Sequence, residues 1–340
     1  MGKYNQLTPS ENRNYNAFDC IKVFTILLVI LGHITRIYSP NSSFPHEEHR
    51  ITSLMTYAIY SFHMPLYIFV SGCIYGIGCK KGKYENASNL ITKKFKRLII
   101  PYLSFGILVL IPCLIFTQLT TKNYINYLFS ELLVGNDVRH LWFLLSLFEM
   151  FVIAYMLKPI LMRKSLYVLT ISVLFSIFID IHNWGGQFNM TFKYLPYFIC
   201  GYYITFKDKW RTNMNWQTTA LLLALILGAM FIQLKYPSIG YEYAIFDYLI
   251  AFPIIYIIYN ITSQKIRLNA NRWYYQTLLK NNFGIYLFHP MIIYILFYLK
   301  TFDILNHYIQ IALIFCITLI FSIVLTSCIK HTKLKFIIGE

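Results

Sequence analysis

Long apolar runs recur along the chain, among them ILLVILG, LIIPYLSFGILVLIPCLIF and IALIFCITLIFSIVLTSCI. Runs of ~20 residues match a hydrocarbon core of ~30 Å at about 1.5 Å rise per residue. The strict alternation of a membrane β-barrel strand is absent. The pattern predicts an all-α, polytopic transmembrane helix bundle of about ten spans, at 18–38, 53–78, 98–118, 140–157, 165–180, 192–206, 216–234, 243–260, 277–299 and 308–329. No segment between them is long enough for a separate soluble domain, so 1–340 reads as one transmembrane domain. No internal repeat is visible, which weighs against an inverted-repeat transporter.

Charge gives the spans a direction. Lys and Arg number 30 against 14 Asp and Glu. In a membrane protein such an excess collects in cytoplasmic loops. With the N-terminus inside, the cytoplasmic segments hold Lys3, Arg13, the run Lys80 to Arg97, Lys158, Arg163, Lys164, Lys207, Lys209, Arg211, Lys265, Arg267, Arg272, Lys280, Lys330, Lys333 and Lys335. The outer segments hold Arg36, Arg50, Lys122, Arg139, Lys193, Lys235 and Lys300. This bias predicts both termini in the cytoplasm. Only 13% of residues are charged, against about 25% in a soluble domain. No nucleic-acid-binding motif appears, so nucleic acid is not expected as a partner. The seven cysteines are scattered without a C-x-x-C pair and read as packing residues, neither disulfides nor metal ligands. The chain is polar through Tyr15, and the first apolar run is too long for a signal-peptide core, so it reads as a retained span.

Candidate chemistry lies where polar residues interrupt the spans. In DCIKVFTILLVILGHI, at 100° per residue, Lys22 and His33 fall within about 20° of one face, and Asp19 and His33 within about 40°. That places Asp19 and Lys22 near the cytoplasmic end and His33 about 16 Å further along. An ionisable stripe should face the bundle interior or a water-filled cavity. Alternatively Asp19 and Lys22 form an i,i+3 pair at the headgroups. SFHMPLYIFVSG puts His63 in an apolar setting, RHLWFLLSLFEM carries Glu149 about halfway along its span, and NNFGIYLFHP carries His289 before Pro290. The cluster KKFKRLIIPY suits either topology plus anionic membrane lipid, or a phosphate group.

In their order and spacing, FDCIKVFTILLVILGH, SFHMPLYIFVSG, KRLIIPY, LWFLLSLF, GIYLFHP and KLKFIIG resemble the acyltransferase-3 family of integral membrane O-acyltransferases, and more narrowly its fucose 4-O-acetylase-like branch. The resemblance runs the whole length. The family's basic residue, ten residues, then histidine falls on Lys22 and His33; its basic pair with two residues between falls on Lys94 and Arg97. Cys20 departs from the polar or small residue of many relatives. The esterase-like extracytoplasmic domain fused to some relatives is not expected here.

The resemblance implies transfer of an acyl group, expected to be acetyl, from cytoplasmic acyl-CoA to a sugar hydroxyl of a cell-surface or lipid-linked glycan. The setting it implies is a multi-pass protein of the bacterial plasma membrane. Acetyl-CoA is then the donor substrate, and no metal is implied. A sugar hydroxyl needs a general base, and histidine suits that task near neutral pH. The catalytic assignment is His33 with Asp19, the latter holding Lys22 in place. Lys22, Lys94 and Arg97 are expected to bind the CoA phosphates, and His63, Glu149 and His289 to line the path. The rival class is a polysaccharide exporter or proton-coupled transporter, because intramembrane His, Glu and Lys also make proton relays. A sensory or structural membrane subunit is a third reading. Thioester consumption by purified protein separates the enzyme from both.

Overall fold

The computed structural model describes residues 9–40, 42, 44, 47–182, 185–207, 215–236, 244–264 and 272–340. Lys3, Lys209, Arg211, Lys265 and Arg267, the Arg13 side chain and the first residue of the eighth expected span lie outside the described residues. Those described are helices and short connections, with no strand among them. Among the described residues eight helices are long and apolar enough to cross a membrane: Asn16–Ile37, Arg50–Lys80, Ala87–Phe116, Arg139–Met156, Lys158–His182, Trp216–Lys235, Ile245–Ser263 and His307–Lys330. The segments expected at 192–206 and 277–299 fold as the helices Gly186–Lys207 and Trp273–Tyr298, but neither is among the eight. Their polar residues explain why: Gln187, Thr191 and Lys193 in one, Asn281, Asn282 and His289 in the other.

Proline shapes several boundaries. Pro lacks an N–H and clashes with the carbonyl four residues back. Pro65 follows a break at Ser61 and Phe62 that divides the second span into Arg50–Tyr60 and His63–Lys80. In the third span Pro101 and Pro112 each follow a widened π turn, Phe95–Ile99 and Gly106–Leu110. That span starts earlier than expected. Asn86 caps it by accepting from the Ser88 N–H, so the run Lys93 to Arg97, expected before the span, is helical. Lys164, with non-helical φ −129° and ψ 44°, separates a short helical entry from the expected fifth span.

Glycine sets the tightest packing. Gly72 and Gly76 on one helix face Gly201 on Gly186–Lys207. A Cβ on Gly72 would collide with the Phe198 carbonyl, one on Gly201 with the Phe69 carbonyl, and one on Gly76 with the Thr205 hydroxyl. Small residues at such positions let two backbones meet closely where lipid supplies no hydrophobic drive. Trp273–Tyr298 packs between the first helix and His307–Lys330.

Contacts far apart in sequence define the two ends of the bundle. At one end the Asn282 side-chain amide donates to the Lys22 carbonyl at 3.0 Å, and Lys330 donates to the Lys280 carbonyl at 2.7 Å. The KLKFIIG motif makes a 3-10 turn, Lys333–Ile338, closed by Gly339 at φ 69°. Ile337 and Ile338 are buried. Gly339 lies on the Arg97 backbone so closely that a Cβ would come within 2.8 Å of the Arg97 carbonyl. Pro101 supplies no N–H to that carbonyl. The start of the first helix, the Arg97 turn and Gly339 therefore share one end. At the other end Tyr38 donates to the Gln310 side chain at 2.5 Å.

Candidate active site

Helices from five parts of the chain bring histidines and tyrosines together inside the bundle. His33 rides on the first helix. Gly32 beside it allows the second span to approach, since a Cβ there would meet Ile59 at 3.0 Å and Tyr60 at 3.1 Å. The His33 ring lies 4.9 Å from that of His289, edge to face, and 6.2 Å from that of Tyr60. Tyr60 in turn lies 4.9 Å from His63. His140 lies 5.9 Å from His289 and 5.6 Å from Tyr286.

Backbone carbonyls fix the tautomers of three rings. His289 donates from Nδ1 to the Ile285 carbonyl at 3.0 Å, and His63 donates from Nδ1 to the Ile59 carbonyl at 2.7 Å. His140 donates from Nε2 to the Leu287 carbonyl at 3.1 Å, while Tyr286 donates to the His140 carbonyl. In the neutral rings this leaves Nε2 of His289 and Nδ1 of His140 as acceptors. Both atoms are buried without a hydrogen-bond partner among the described residues. His33 differs. It is only partly buried, and among the described residues its contacts are rings, with no hydrogen bond. His33 is thus held by packing against the rings of His289 and Tyr60. The four rings do not converge as ligands: among the described residues no three His, Cys, Asp or Glu stand close enough to hold a metal ion.

Arg139, next to His140, has φ 49°, a left-handed conformation that costs a non-glycine residue energy. Its guanidinium donates to the Leu119 carbonyl at 3.1 Å and faces Asp137 at 3.4 Å. Nearby, outside the spans, Glu131 receives Lys122, the Asp137 backbone N–H and Ser130. Lys122 is the largest cause holding that carboxyl below the usual range.

The basic residues gather at the opposite end. Lys22 and Asp19 form an ion pair at 3.0 Å, so the i,i+3 pairing is realised. Tyr67 donates to the Asn282 carbonyl oxygen, and the Asn282 amide reaches the Lys22 backbone. Arg97 is exposed. Lys94 is less solvated than a headgroup lysine: its ammonium sits 3.5 Å above the Phe151 ring centroid. Lys22 and Arg97 lie toward the same end of the bundle, and His33 stands on the same helix as Lys22.

The fold therefore brings His33, His63 and His289 together, pairs Lys22 with Asp19, and sets Arg97 toward the same end as that pair. Glu149 stands apart from the histidines. It accepts from Thr191 within a polar group that includes Ser146 and Gln187, tying Arg139–Met156 to Gly186–Lys207. His140, Tyr60 and Tyr286 belong to the cluster without having been singled out in the sequence. His140 follows Arg139 and reads as part of a polar rim, and Tyr60 is one of 29 tyrosines.

A family model for an acyltransferase domain, that of the acyltransferase-3 family, matches residues 15–328. No curated protein and no solved structure matches the chain.

Proposed function

The chain belongs to the acyltransferase-3 family and is a membrane acyltransferase; from that premise we propose that it moves an acetyl group from cytoplasmic acetyl-CoA to a hydroxyl of a cell-surface or lipid-linked glycan. The observation that carries this reading is the first helix. It presents Lys22 toward the end of the bundle shared with Arg97, and His33 about 16 Å away beside His289 and Tyr60. In this reading the CoA phosphates lie against Arg97, Lys94 and Lys22, with Asp19 fixing the Lys22 side chain. The pantetheine arm covers the distance to His33. His33 takes the proton from the acceptor hydroxyl, the oxygen attacks the thioester carbonyl, and the thiol of CoA leaves with a proton. His289, with its fixed Nε2 acceptor, orients the His33 ring. His63 and His140 complete the walls of the path.

The same reading places the protein in a bacterial plasma membrane with ten spans and both termini in the cytoplasm. Gly186–Lys207 and Trp273–Tyr298 would then cross as interior helices. It also assigns the chain to the fucose 4-O-acetylase-like branch. Lys22 and Gly339 at one end of the bundle support an even number of crossings.

His33→Asn tests the chemistry. Asparagine keeps hydrogen-bonding capacity but cannot act as a base near neutral pH. Turnover of acetyl-CoA by purified protein should fall roughly 10²–10⁴-fold, the usual worth of positioned proton transfer, with acetyl-CoA affinity retained. Near-normal turnover by well-folded His33→Asn would remove the base assignment. An absence of thioester consumption by the unaltered protein would remove the enzyme reading.

A further inference from the structure

A second feature opens next to the histidines, at the end of the bundle away from Arg97. A cavity of about 200 Å³ lies where the broken second span meets Gly186–Lys207 and the helix carrying Asp247. Tyr57, Tyr60, Tyr194 and Tyr248 line it, together with Lys193 and Asp247. Its polar groups are organised. Lys193 and Asp247 pair at 2.8 Å. The Gln233 amide donates to the other Asp247 oxygen at 3.1 Å, and Tyr57 donates to Gln233. Tyr248 donates to Ser176 and also reaches the Lys193 carbonyl at 2.9 Å. Both members of the ion pair remain about one-third exposed, so the network faces the opening. Tyr60 forms part of the cavity wall and of the His33 surroundings alike.

We propose that this cavity is the acceptor subsite and that it takes a single uncharged sugar ring, with the reacting hydroxyl directed past Tyr60 to His33. The proposal rests on the acyl-transfer reading above and adds to it the acceptor's chemical class. Size supports one ring. The volume falls below the ~300–1,000 Å³ of pockets for larger ligands. The lining has the matching two-sided character: tyrosine faces cover the C–H surface of a sugar, while phenols, carboxylate and ammonium meet its hydroxyls. Charge argues for a neutral ring. Lys193 and Asp247, the two charged residues of the lining, are paired, so an ionised sugar would have to break their pair and leave one charge without its counterpart. The rest of a longer or lipid-linked glycan would remain outside the opening.

The test uses full-length protein in lipid nanodiscs with acetyl-CoA, following CoA release. The probes are methyl glycosides of neutral hexoses, 6-deoxyhexoses and hexuronic acids. At least one neutral methyl glycoside should stimulate release. Lys193→Met and Asp247→Asn should raise its KM about ten-fold or more, the worth of a lost hydrogen bond to a charged group. The KM for acetyl-CoA should stay unchanged, and Lys193→Arg should recover most of the loss. Asp247→Asn preserves the shape of the cavity and supplies the test if Lys193→Met does not fold. Preference for a methyl hexuronide over every neutral glycoside overturns the proposal, as do variants that move both KM values together. Release that no glycoside stimulates also overturns it, while leaving acyl transfer standing. No turnover of acetyl-CoA by the unaltered protein removes the acyl-transfer reading, and the subsite with it.

Discussion

Trp273–Tyr298 and His307–Lys330 are neighbours in sequence and in space, yet they invert the usual relation between polarity and burial. The first carries Asn281, Asn282 and His289, all buried, and is not among the eight described helices long and apolar enough to cross a membrane. The second belongs to those eight and exposes Ile309, Ile320, Phe321 and Val324. Three of its hydroxyls, those of Thr318, Ser322 and Thr326, sit four residues apart on one inward stripe. A soluble protein would bury the apolar helix and wet the polar one. In a bilayer the cheapest surroundings for an amide or an imidazole are other helices, and the cheapest partner for Phe321 is an acyl chain. His307–Lys330 thus turns its apolar face outward, and Trp273–Tyr298, with its buried amides and imidazole, packs inside the bundle.

The contrast breaks most severely at the interior glycines. Gly72→Leu should force Gly186–Lys207 away from its partner, because the obstruction is the Phe198 backbone and no side chain can yield. The expected result is a cost above about 3 kcal/mol, beyond ordinary overpacking, read as loss of monodisperse protein after detergent extraction. Normal yield and a normal melting curve would show that the two helices do not meet there. Phe321→Asp comes next. If its surroundings are lipid, the change costs about 3 kcal/mol on the insertion scale, measured as reduced membrane integration of the last helix. Full integration would mean that this face meets water or protein.

Smaller effects sharpen the distinction between a solvated mouth and a dry interior. Arg97→Ala should weaken acetyl-CoA binding about ten- to a hundred-fold, one charge-assisted contact's worth, with unfolding temperature unchanged because Arg97 is exposed. Lys94→Ala should weaken binding similarly and also lower stability, since its ammonium covers Phe151. Unchanged affinity in the double variant would reduce the cluster to a topology signal. The smallest effect belongs to Leu227→Ala on the outer face of Trp216–Lys235, where Leu227 is 66% exposed. Stability in nanodiscs should change by less than ~0.5 kcal/mol, and a larger loss would reveal a protein partner on that face.

The outline of the bundle was legible because a bilayer imposes a length and a composition that eight helices meet directly. Gly186–Lys207 and Trp273–Tyr298 were visible as weaker runs, since their remaining residues still keep the apolar character of an interior. His33, His63 and His289 stood out as ionisable groups in apolar surroundings. The basic run Lys93 to Arg97 misled as to the start of the third span, because charge masks a helix that Asn86 caps and Pro101 only widens. Proximity was beyond a single sequence. Nothing in RHLW indicates that His140 reaches the Leu287 carbonyl, or that Lys193, outwardly a topology lysine, faces Asp247 across the bundle. Both facts depend on pairing of distant helices, which periodicity within one helix does not encode.

The seating of Gly339 on the Arg97 backbone has a bearing on biogenesis. The Arg97 turn enters the membrane early in synthesis, but the residue packed against its carbonyl is translated more than two hundred codons later. Until Gly339 has cleared the ribosome, the mouth of the bundle lacks its brace and Ile337 and Ile338 have not docked. A product cut before Gly339 would insert its spans yet leave that mouth without its brace.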